Sequence, residues 1–177
     1  ATDFTTGVSD AQSKGAELVF LPLYYENDTK IVMACKNANY SPVFFGVDGF
    51  DGALEQEGVD VSMFEGFYYL TPFAYTATDD ATVSFVSKFN ALAGNNPNQF
   101  AADAYDVVYA IYNALVEAGA TADMSAQDMG ELLCKTFQGG FTYSGLTGSN
   151  MTWNENGAVV KAPLAFQVKD GKLTAAE

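Results

Sequence analysis

Short apolar runs alternate with helix-period segments along the first part of the chain. Phe4 to Lys14 predicts a helix end, closed by Gly15 in a left-handed position. Glu17 to Leu21 is an apolar strand ended by Pro22. Apolar residues at Ile31, Val32, Ala34, Cys35 and Ala38 follow a helical period and predict a helix over 27–39. Pro42 precedes Val43 to Val47, a second buried strand. A short helix is expected over 51–57, and the aromatic-rich stretch Phe64 to Leu70 reads as a third strand. This alternation predicts an α/β fold, a parallel sheet with right-handed crossovers and flanking helices.

The pattern changes near Thr71-Pro72. Three amphipathic helices follow. The first starts at Thr78-Asp79-Asp80, whose oxygens suit N-capping, and carries Val83, Val86, Phe89 and Leu92. The second, 101–118, carries Tyr105, Val108, Ile111, Tyr112 and Leu115. The third starts at Ser125 with Asp128 three residues on, a capping-box-like pair. A hairpin is expected around Asn154–Gly157, then a strand over 164–168 and a turn at Asp170-Gly171. The three helices have apolar faces but no strands among them. Either they form their own bundle or the sheet they cover lies elsewhere.

Composition narrows the function. The 177 residues carry 8 basic and 22 acidic side chains, a net charge of −14, which repels phosphate backbones and argues against nucleic-acid binding. There is no histidine, so the usual general base and the commonest metal ligand are missing, and no enzyme activity, cofactor or metal site is expected. Cys35 and Cys134 lie on predicted helices and are expected as buried free thiols. No apolar run reaches the roughly 20 residues of a membrane span. The opening Ala1-Thr2-Asp3-Phe4 suggests a processed or truncated product.

Candidate chemistry gathers where strands end. Tyr24 and Tyr25 follow the first strand, and Asp48-Gly49-Phe50 follows the second. Open parallel sheets bind ligands beyond the carboxyl ends of their strands. An aromatic shelf beside a carboxylate suits a small ligand with a cationic group and an apolar part. The plainer alternatives are a turn aspartate before glycine and half-buried loop tyrosines. Asp79-Asp80 reads as a helix cap rather than a metal site. Asp103 and Asp106 read as a solvated face. Asn27-Asp28-Thr29 and Asn150-Met151-Thr152 match the short glycosylation sequon, a weak pattern.

Several segments, in order, resemble the type I periplasmic binding proteins, especially the branched-chain amino acid group. They are Asp3-Phe4, Gly15 to Phe20, Leu23-Tyr24-Tyr25, Phe45 to Gly49, Phe100 to Asp106, Gly145 to Gly148 with Trp153 to Gly157, and Val168 to Gly171. The resemblance implies the C-terminal half of a two-lobed receptor that closes on an amino acid and serves an ABC transporter permease. Residues 1–75 and 163–177 would belong to the second lobe, and residues 76–162 to the first, whose own sheet is absent. Tyr24 would pack on or hydrogen-bond the ligand, Asp48 would pair with its α-ammonium, Tyr25 would join them, and Phe50 would line the side-chain pocket. The setting would be extracytoplasmic, and the uncovered helices would favour self-association. A ligand-sensing regulatory domain of the same fold is the alternative.

Overall fold

A computed structural model describes residues 3–176. The first two residues, on which the processed-start expectation partly rests, lie outside the described residues. The chain divides into two compact units, one running to Thr76 and resuming at Pro163, the other spanning Ala77–Ala162.

The first unit is built on a five-stranded sheet ordered β1-β2-β3-β6-β7, with strands Leu18–Leu21, Val43–Gly46, Tyr68–Thr71, Leu164–Lys169 and Lys172–Ala175. The first three are parallel, β6 runs antiparallel to β3, and β7 runs antiparallel to β6. Helix α1 (Thr5–Ser13) precedes β1, and α2 (Tyr25–Asn37) makes the crossover to β2. Gly15, at φ +68°, breaks the chain out of α1, and the Tyr40 hydroxyl donates to the Ala16 carbonyl at 2.6 Å, fixing the entry to the sheet. Alternation sends Val19, Leu21, Tyr69, Phe166 and Val168 into one core with Val8, Ile31, Val32 and Cys35 of the helices. On the opposite face Leu18, Phe20 and Val43 remain exposed.

Two expectations shift. The aromatic run does not pair from Phe64 onward: Val61–Phe64 is a 3-10 turn, Gly66 takes φ +81°, and β3 starts at Tyr68. The helix expected over 51–57 is replaced by 3-10 turns at Asp48–Phe50 and Ala53–Glu55.

The second unit contains α3 (Asp80–Ala93), α4 (Gln99–Glu117), α5 (Ala126–Gln138) and the hairpin β4 (Thr152–Trp153) with β5 (Val159–Val160). The caps follow the sequence. Asp79 accepts from the Thr82 N–H at 2.9 Å, Asn98 from Ala101 at 3.1 Å, and Ser125 from Asp128 at 3.1 Å. Asn154 closes the hairpin by accepting from the Asn156 and Ala158 N–H groups. Trp153 packs against Phe137 at 4.6 Å and Phe141 at 5.9 Å.

The faces of α4 reverse the size order expected of a core. Ala102, Ala110 and Ala114 are buried, whereas Val108 and Tyr112 are 65% and 62% exposed. Asp106, read as solvated, is also buried. Its carboxylate accepts from the Leu146 N–H at 2.9 Å and from the Thr147 N–H and hydroxyl at 2.8 Å each. Asp103 pairs with the Lys161 ammonium at 2.7 Å, so neither aspartate is a free surface charge. Cys35 is buried as expected, but Cys134 is exposed, and both are free thiols.

Candidate functional site

The register of β1 on β2, with Leu21 opposite Gly46, ends both strands side by side. After β1, Pro22 and Leu23 lead to Tyr24, which occupies the N-cap position of α2 in extended geometry. Its carbonyl accepts from the Asn27 N–H at 2.9 Å, so the backbone is fixed while the side chain is 63% exposed. Tyr25 turns inward and packs, half-buried, on the core.

After β2, the 3-10 turn Asp48–Phe50 is held by the Phe50 N–H to the Val47 carbonyl and by the Asp51 N–H to the Asp48 carbonyl, each at 3.0 Å. Asp48 stays exposed, and its Oδ1 accepts from the adjacent Gly49 N–H at 3.0 Å. Gly49 shows how close the two loops lie. A Cβ there would collide with the Leu23 carbonyl and come within 3.3 Å of the Tyr24 Cα. Only glycine lets the backbones after β1 and β2 touch in this way. The structure thus sets the segments bearing Tyr24 and Asp48 in contact at one sheet rim, with both side chains open to solvent.

Phe50 takes a different place. It is 1% exposed, stacks on Phe67 at 4.0 Å, and meets Phe64 and Tyr69 edge-on at 5.2 and 5.0 Å. It supports the turn from beneath instead of facing outward.

Sequence reasoning passed over two features. Asp28, in the first turn of α2, is fully buried, and neither carboxylate oxygen has a hydrogen-bond partner. Burial pushes its pKa up to about 7. Asp51 is buried beside the Tyr69 hydroxyl. Neither was legible, because an aspartate near a turn or a helix start reads as solvated.

A solvent-facing tyrosine and carboxylate stand at the carboxyl rim of a parallel sheet, the place where open α/β folds receive ligands. The family model for periplasmic binding proteins matches residues 1–172, and the chain belongs to that family. Its members are binding proteins, and the architecture is part of the type I periplasmic binding protein fold. A leucine-binding protein, LivK, from Thermotoga maritima is similar at 20% identity and TM-score 0.78, covering 100% of this chain and 48% of its own. The branched-chain amino acid substrate-binding protein LivJ of Streptococcus pneumoniae, solved with isoleucine, is similar at 24% identity and TM-score 0.79, with the same coverage. A solute-binding protein of R. palustris in complex with benzoate is similar at 16% identity and TM-score 0.80, covering 99% of this chain and 46% of its own. The chain therefore spans about half the length of these neighbours. No curated protein sequence matches it. No helix among the described residues is long and apolar enough to cross a membrane.

Proposed function

We propose that this chain supplies the latter half of an extracytoplasmic amino acid receptor that delivers its ligand to an ABC importer permease. Residues 1–75 and 163–177 form part of the second lobe, and 76–162 return to the first. Asp48 receives the α-ammonium, and Tyr24, with Tyr25 behind it, offers an aromatic surface to the rest of the ligand. The observation that carries this reading is the backbone contact of Gly49 with Leu23 and Tyr24, which places one exposed acid and one exposed phenol on neighbouring loops.

The charge selects among ligands. An exposed carboxylate favours a cationic group and opposes a purely anionic ligand such as the benzoate of the R. palustris neighbour. A charge-assisted hydrogen bond to an ammonium contributes about 1.5–3 kcal/mol. The test is a thermal-shift panel of the twenty amino acids on the full-length gene product. At least one should raise the melting temperature. A panel with no shift would contradict an amino acid receptor.

A further inference from the structure

The hairpin tip of the second unit takes no part in the proposed ligand contacts, yet it gathers the parts of a covalent reaction. Asn156 is the chain's sole asparagine followed by glycine. Both residues are exposed in the turn between β4 and β5, and Gly157 takes φ +78° with open space where a side chain would stand. Lacking a Cβ, a glycine lets its backbone nitrogen approach the preceding side chain closely. The aspartates that precede a glycine, Asp48, Asp51 and Asp170, offer a carboxyl group instead, a far poorer electrophile when ionised.

The turn also holds the reaction back. The Gly157 N–H donates to the Asn154 carbonyl at 2.9 Å, and Asn154 Oδ1 accepts from the Asn156 and Ala158 N–H groups at 3.0 and 2.9 Å. The Gly157 nitrogen must leave the Asn154 carbonyl before it can attack, so the rate follows opening of the tip.

We propose that Asn156 is a site of spontaneous deamidation and that Asn154 sets its rate. The Gly157 nitrogen, having lost its proton to hydroxide, bonds to Asn156 Cγ. The Cγ–Nδ2 bond breaks, and the side-chain nitrogen takes a proton from water and leaves as ammonia. Water then opens the five-membered imide at either carbonyl, leaving aspartate or isoaspartate at position 156. Nothing is oxidised or reduced. Either product adds one negative charge. Isoaspartate also lengthens the backbone by one atom, inside a turn closed by the Asn154 N–H on the Ala158 carbonyl at 3.0 Å. Strands β4 and β5 have two residues each, so the product should loosen the hairpin beside Trp153. The inference does not depend on the receptor reading.

The test follows aged samples of this chain at pH 8 by liquid chromatography and mass spectrometry of its peptides, with the same chain unfolded in guanidinium chloride as reference. The variants are Asn154→Ala, Asn154→Asp, which keeps an acceptor oxygen, and Asn156→Gln, which cannot close a five-membered ring. In the folded chain Asn156 should convert faster than every other asparagine, yet about tenfold or more slower than in the unfolded reference. Asn154→Ala should convert about three- to tenfold faster than the parent, the worth of one hydrogen bond lost from the closed turn, while Asn154→Asp stays close to the parent. Ageing should lower the urea midpoint read from Trp153 in the parent and leave it constant in Asn156→Gln. Another asparagine converting first overturns the site. Equal rates in the folded and unfolded chain overturn the role of Asn154, and this comparison stands even where Asn154→Ala fails to fold. Asn154→Ala ageing no faster than the parent, or Asn154→Asp ageing as fast as Asn154→Ala, does the same.

Discussion

Replacing Asp28 with asparagine should stabilise the first unit, and more so as the pH rises. The side chain is fully buried with no hydrogen-bond partner for either oxygen, and desolvation moves its pKa from 3.8 to about 7. The folded state therefore holds the proton more tightly than the unfolded chain. Stability from this group is complete below about pH 4 and is lost as the pH climbs through about 7. At about 1.36 kcal/mol per pH unit, the ceiling on the loss is about 4 kcal/mol. Relaxation and entering water reduce such penalties, so about 2 kcal/mol is expected. The amide side chain is nearly isosteric with the carboxyl group and uncharged at every pH. Urea unfolding at pH 4.5 and pH 8, followed by near-UV circular dichroism of the Phe50, Phe64, Phe67 and Tyr69 cluster, reports on the same unit. Trp153, in the other unit, serves as an internal control by fluorescence. Near-equal stability at pH 4.5 with a gain at pH 8 is the expected result. Parallel pH curves for parent and variant, or a variant weaker at pH 8, would refute the reasoning.

Removing the Asp106 carboxylate with alanine leaves the Leu146 and Thr147 donors unpaired and should cost the second unit about 3–5 kcal/mol, read from Trp153 fluorescence in urea; less than 1 kcal/mol would contradict the buried role. In the native protein a thiol reagent should modify Cys134 promptly and Cys35 only after denaturation, as a timed titration will show. The exposed stripe of α4 should drive self-association of this chain in light scattering, and Val108→Lys with Tyr112→Lys should weaken it about tenfold or more; a clean monomer at high concentration would count against it.

What the sequence disclosed was mostly local. Caps at Asp79 and Ser125 and the hairpin turn at Asn154 depend on a few adjacent residues, and their chemistry is visible in the letters. The parallel order of the first strands followed from their spacing and crossovers. Burial was harder to read, because it depends on distant partners. Large apolar residues on α4 point outward and alanines inward, so side-chain size and apolarity did not disclose which face is buried. Asp106 is buried because a loop forty residues on brings three donors to it. Phe50, two residues after the exposed Asp48, belongs to the core because the 3-10 turn rotates it beneath the sheet rim. Cys134 lies on a helix whose residues are all at least partly exposed, which its amphipathic pattern did not disclose.

The central claim is that Asp48, beside Tyr24, takes the ligand's ammonium. Calorimetry on the full-length product should compare the amino acid giving the largest thermal shift with its 2-hydroxy analogue, in the parent and in Asp48→Asn. The parent should prefer the amino acid by roughly 10- to 100-fold, as expected for one charge-assisted hydrogen bond, and the variant should lose most of that preference. A preference equal in both proteins would show that the ammonium is held elsewhere.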